Sequence, residues 1–156
     1  MSLQRVSISL NLADPGTDPE VFVPVFHDWI RRGAVEGLLI DVARYAHVHH
    51  GPGIMLVGHE GDYSIDLSER RPALRYTAKR DVPEATSDAI AFVLGRLLGA
   101  AAEAAGVSGG QVDATKLTVE IRDRLTAPNG PQSLAAVSPD IAAGLEGAIG
   151  AVSIDS

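Results

Sequence analysis

Four of the five histidines fall between Tyr45 and Leu67, in the run YAHVHHGPGIMLVGHEGDYSIDL. His47 and His49 are spaced i, i+2. On a continuous strand, such side chains share a face about 7 Å apart, so two imidazoles would be offered to one metal ion. His59, Glu60 and Asp62 follow in and after a turn bounded by Gly58 and Gly61. An imidazole with two carboxylates can complete a tetrahedral or octahedral ligand set. The same groups could serve as a general base and the carboxylate that orients it. Asp41 and Tyr45 share the strand face expected for His47 and His49. The candidate polar site is therefore Asp41, Tyr45, His47, His49, His59, Glu60 and Asp62, with His47, His49 and His59 as ligands for a divalent metal. The plainer reading of the same residues is a polar strand end and a tight turn whose short side chains satisfy backbone groups.

Other chemistries find no support in the residues. The chain has no cysteine, which removes disulfides, thiol catalysis and cysteine-ligated zinc. His59-Glu60-Gly61 is not the metalloprotease helix motif, and neither a serine nucleophile elbow nor a glycine-rich phosphate loop occurs. The formal net charge is −7. An acidic chain lacks the footprint that neutralises phosphates, so nucleic acid is not an expected partner. Arg70, Arg71, Arg75, Lys79 and Arg80 form the one basic cluster. Asp41 stands inside an apolar run, where a carboxylate must reach water or a donor. Arg44, His47, Arg75 and His27 are the candidate partners.

The elements that must position these groups follow from the apolar pattern. Val6, Ile8, Leu10 and Leu12 alternate with polar residues, the period of a half-buried strand. Asp18-Pro19 is a helix-start signal, and Val21, Phe22, Val25, Phe26, Trp29 and Ile30 form the apolar stripe of a helix ending at Gly33. Pro24 requires a kink or a later start. Gly37 to Val48 reads as a strand with Leu38, Ile40 and Val42 on one face. Ile54–Val57 and Asp62–Leu67 read as a hairpin, with Tyr63, Ile65 and Leu67 inward. Ala73–Lys79 is a further strand. A long helix is expected from Pro83-Glu84 to Ala105, then a strand containing Leu117, Val119 and Ile121, and a last helix over Gln132–Ile149. The arginines of IRDRLTAPN are expected to tie down the following loop. The tail GAVSIDS is expected to fray or to add an edge strand.

The order is β-α-β-β-β-β-α-β-α. With one hairpin and the last helix removed, it becomes the split βαβ plan. The expected fold is α+β: a mostly antiparallel sheet with helices on one face, ferredoxin-like in order, with an extra hairpin and a C-terminal helix. At 156 residues, the chain is expected to form a single domain over 1–156. Only 4% of residues are aromatic, so the core must be mainly aliphatic. No window has the length of a membrane span, and no signal-peptide pattern opens the chain. These observations set the expectation of a cytoplasmic protein with no membrane partner.

The pattern HVxxGPGIxLxGHExDY, read from His47 to Tyr63, resembles a family of small bacterial proteins without an assigned activity. The resemblance implies a recurring histidine-containing module and carries no cofactor or catalytic residue. Three functional expectations remain. The first is a self-associating binding or interaction module, most simply a homodimer formed through its sheet. The second is a His/Asp/Glu metal-binding protein or general-base enzyme built on residues 47–62. The third is a sensor holding a small-molecule ligand between sheet and helices.

Overall fold

The computed structural model describes residues 5–123, 128–150 and 153–154. The expectations for Arg124 and the loop after it, and for most of the tail, lie outside the described residues. The elements follow the expected order. β1 is Val6–Leu12, α1 Phe22–Arg32, β2 Leu39–Tyr45, β3 Gly53–Gly58, β4 Gly61–Asp66, β5 Ala73–Ala78, α2 Thr86–Ala104, β6 Val112–Ile121 and α3 Pro131–Ile149. The six strands form one sheet in the order β2-β3-β4-β5-β1-β6. Every neighbouring pair is antiparallel. Among the described residues, no helix is long and apolar enough to cross a membrane.

Register separates the two faces of the sheet. Ile8 lies opposite Tyr76 and Val119, Leu10 opposite Leu74 and Leu117, and Leu56 opposite Tyr63. These residues belong to one core with Phe22, Phe26 and Trp29 of α1, Ile90, Val93, Leu94 and Leu97 of α2, and Val137, Ile141 and Leu145 of α3. The inward direction expected for Tyr63 and Ile65 is observed, because period-2 alternation leaves their neighbours Asp62, Ser64 and Asp66 on the other face. That second face carries Ser7, Ser9, Ser64, Asp66, Arg75, Thr77, Thr118 and Glu120.

Helix α1 starts late, as Pro24 demands. The Asp18 carboxylate accepts from the Glu20 amide at 3.0 Å, and Pro19–Val21 make a single 3-10 turn. Pro24 then falls in the first turn of α1, where no helical N–H bond is lost. Gly33 ends the helix at φ 60°, with the Ala34 amide bonded back to the Trp29 carbonyl at 3.0 Å. Helices α2 and α3 approach closely at Gly144, where a Cβ would stand 2.5 Å from the Ser87 carbonyl oxygen.

Strand β2 departs from expectation. It ends at Tyr45 rather than Val48, because Tyr45 pairs with Gly53 and the seven residues between them must reverse the chain. The Val48 amide bonds to the Tyr45 carbonyl and the Gly51 amide to the Val48 carbonyl, both at 3.0 Å. His50 takes a left-handed φ of 55° in this connection. At the other end, register shifts between Leu39 and Asp41. One extra residue in a strand reverses the alternation after it. Leu39 and Val42 therefore pack against the core, while Leu38 and Ile40, expected to share a face with Val42, are 62% and 59% exposed.

Candidate functional site

The expected site residues divide between the two ends of the β2–β3 hairpin. His47, His49 and His50 lie in the connection that follows Tyr45. His59 and Glu60 form the β3–β4 turn beyond Gly58, the residue opposite Leu39. The length of β3 separates the two groups, about 17 Å at the usual rise of a strand. His47 and His59 therefore do not share a metal ion, whose ligand bonds are about 2 Å. Among the described residues, no group of three or more His, Asp or Glu is placed to hold a metal. The i, i+2 argument for His47 and His49 fails at its premise, because the strand has ended before either. His49 instead packs at a tilt against His50, ring centroids 3.9 Å apart, and His50 Nδ1 lies 3.1 Å from the Ser68 carbonyl oxygen.

The β3–β4 turn is tightly tied. The His59 amide donates to the Leu38 carbonyl, and the Leu38 amide donates to Glu60 Oε2, both at 2.8 Å. The Glu60 carbonyl accepts from the Lys79 and Arg80 amides. Asp62 accepts from the Gly58 amide at 3.1 Å and pairs with Lys79 at 2.8 Å. The Leu38 amide, with the residue's own amide, holds the Glu60 carboxyl below the ordinary glutamate range. A carboxylate so engaged stays ionised and is a poor proton acceptor near neutrality. Its visible work is to pin the start of β2.

Two buried tyrosines back this turn. Tyr63 and Tyr76 pack at 4.7 Å between ring centroids, and the Tyr63 hydroxyl donates to the Glu36 carbonyl at 2.8 Å. Burial pushes the Tyr76 phenol up to about 12 and raises that of Tyr63 as well. Both stay protonated at neutral pH and can only donate or accept hydrogen bonds. Arg96 of α2 lies over the Phe92 ring at 4.9 Å and reaches to 4.0 Å from Glu36.

Arg44 and Arg75, expected as partners of Asp41, are engaged elsewhere. The Asp41 carboxylate accepts from the Val42 amide at 2.7 Å. Arg44 pairs with Glu20. Arg75 sits in the middle of the polar face, 8% exposed, between Asp66 at 2.8 Å and Glu120 at 2.7 Å, with the Ser7 hydroxyl 2.6 Å away. Asp66 also accepts from the Ser68 amide and hydroxyl. Burial works against the charge on Glu120, yet Arg122 and Arg75 outweigh it and hold its carboxyl low. The basic cluster is thus dispersed: Arg75 and Lys79 are paired, and Arg71 donates to the Leu12 and Ala13 carbonyls. The signal for the Arg75 network was present in the alternation of β4 and β5, since Ser64 and Asp66 occupy the face that Arg75 also occupies.

A cleft of about 430 Å³ lies between α1 and the end of α2, lined by Pro24, Val25, Trp29 and Val107. Asp28, Arg32 and Glu103 stand at it as an ion-pair chain. It is not the pocket between sheet and helices that a sensor would use.

Exposed apolar side chains gather at one end of the sheet. Leu38, Ile40, Tyr45 and Val48 are all exposed, on or beside an edge strand. Comparison of the chain with protein families, characterised proteins and solved structures finds no match.

Proposed function

We propose that this chain is a small binding module that self-associates, and that its working surface is the β2 edge of the sheet. The observation that carries the reading is the position of the exposed apolar residues. The two most exposed large hydrophobic residues among those described, Leu38 and Ile40, border the start of an edge strand, and Tyr45 ends it. An edge strand presents unpaired N–H and C=O groups, and an apolar edge left uncovered invites pairing with another chain. Clustered apolar surface at such a place marks an interaction site. The reading includes a homodimer, a cytoplasmic setting and a ferredoxin-like plan. Support for that plan is the run β4-β5-β1-β6 within the sheet, which has the split βαβ order when the β2–β3 hairpin is set aside.

Sedimentation velocity over a wide concentration range tests the proposal. The wild type is expected to dimerise, and Ile40→Lys to be monomeric at the same concentrations. A wild type that stays monomeric throughout, or an Ile40→Lys variant that associates as well as wild type, removes the reading.

A further inference from the structure

We infer that the partner on the β2 edge is a second copy of this chain, paired antiparallel about a two-fold axis at Ala43, so that Asp41 of each copy meets Tyr45 of the other. The inference rests on the proposed self-association and specifies its geometry.

The argument starts from one hydrogen bond. Along an antiparallel strand, the backbone groups of alternate residues point to opposite sides. Strand β2 has β3 on one side only. The Val42 amide bonds to the neighbouring Asp41 carboxylate. An amide aimed at β3 would be taken by the ladder, so Val42 belongs to the outward set, and with it Arg44. A second copy can therefore align its outward groups in three ways: Val42 with Val42, Val42 with Arg44, or Arg44 with Arg44.

Side-chain chemistry selects among the three. Residues directly opposite one another project to the same face. Arg44 opposite Arg44 sets like charges together, and the strand ends one residue later, at Tyr45. Val42 opposite Val42 places Asp41 against Ala43, so the carboxylate gives up the Val42 amide to the ladder and receives no donor. It also runs Arg44 into the irregular stretch at Ile40. Val42 opposite Arg44 uses only the regular stretch Asp41–Tyr45. It sets Asp41 opposite Tyr45, and the phenol hydroxyl replaces the donor that the carboxylate loses. Its central pair is Ala43 with Ala43, a non-hydrogen-bonded pair, the kind in which the strands come closest, and the side chain there is a methyl group. In this antiparallel pair the Leu38–Ile40 end of each copy lies beside the Tyr45 end of the other, where Val48 is also exposed.

The absence of native cysteine makes the register directly readable. Val42→Cys, Ala43→Cys and Arg44→Cys each place a thiol at the two-fold axis of one register and of no other. In the inferred register the Ala43 Cα atoms are about 4.5 Å apart, within the range a disulfide spans. Under mild oxidation of dilute protein, Ala43→Cys is expected to form a covalent dimer at least about tenfold faster than the other two. Tyr45→Phe is expected to weaken the wild-type dimer by about thirtyfold, as loss of a hydrogen bond at each end implies. Fastest cross-linking at residue 42 or 44 overturns the register while leaving the β2 edge in use. A wild type that is dimeric in sedimentation with no cross-link at any of the three overturns the inference and moves the contact elsewhere. A wild type that is monomeric, again with no cross-link, overturns the functional reading beneath it.

Discussion

Strands β2 and β6 are the two edges of one sheet among the described residues, yet their side chains differ in kind. β6 reads VDATKLTVEI and contains no exposed large hydrophobic residue; what it shows to solvent includes Ala114, Thr115, Lys116 and Thr118. Asp113 folds back on the Thr115 amide and hydroxyl at 3.0 and 2.6 Å. Lysine and locally satisfied polar groups are the usual protection of an edge. β6 is also tied to the sheet interior through Glu120 and Arg75. β2 has comparable devices in the Asp41 carboxylate on the Val42 amide and in exposed Arg44, paired with Glu20. Around them stand Leu38, Ile40, Tyr45 and Val48. Charged groups thus stand on both edges, and β2 alone adds exposed large apolar residues.

The largest expected effect separates the halves of the sheet by stability. Asp66→Ala leaves Arg75 buried with half its counter-charge, and should lower unfolding free energy by about 3 kcal/mol, as removal of one member of a buried pair does. Urea unfolding would show the loss, while dimerisation through β2 should be unchanged. A parallel fall in both would mean that the two edges are coupled. Next is the contrast between edges. Ile40→Lys should weaken self-association about a hundredfold, since each copy loses an apolar contact worth roughly 1.5 kcal/mol or more and gains a charge. Its own unfolding free energy should move by no more than about 0.5 kcal/mol, as for other surface changes. Ala114→Lys on β6 is the matched control, and a comparable loss of association there would erase the distinction. The smallest effect concerns the turn that pins Leu38. The Glu60 carboxyl is held below its ordinary value of 4.5 by the Leu38 amide. Its contribution is therefore present above that value and fades as pH falls through the lower folded-state one. Melting temperature followed from pH 6 to pH 2 should fall less steeply in Glu60→Gln than in wild type. Identical acid limbs would show that the Leu38 contact contributes nothing.

Much of the fold was legible because it depends on local periods. The alternation in Val6–Leu12 and in Asp62–Leu67 marks half-buried strands. The stripe Phe22, Phe26, Trp29 marks a helix, and all three residues are buried. The glycines of the His59-Glu60 turn mark a hairpin that does join β3 to β4. The candidate site was legible only in part. The crowding of histidines in sequence was real, but a hairpin places residues at its two ends far apart, and period-2 reasoning cannot say where a strand stops. The bulge at Ile40 was hidden for a related reason. LLIDVA alternates acceptably in either phase, and the choice is made by Glu60 and His59 holding Leu38 from another turn.

The sequence by itself determined the element order, the antiparallel character and the inward stripe Phe22, Phe26 and Trp29 of α1, because these follow from spacing along a single segment. It also determined that any site here must work without thiols. Only the tertiary structure decided that β2 and β6 are the edges, that Arg75 is buried between Asp66 and Glu120, and that Leu38 and Ile40 face water. Each of these depends on which distant segment lies alongside. Strand pairing joins Ser9 to Arg75 and Thr118, residues far apart in the chain, and no local period encodes that choice.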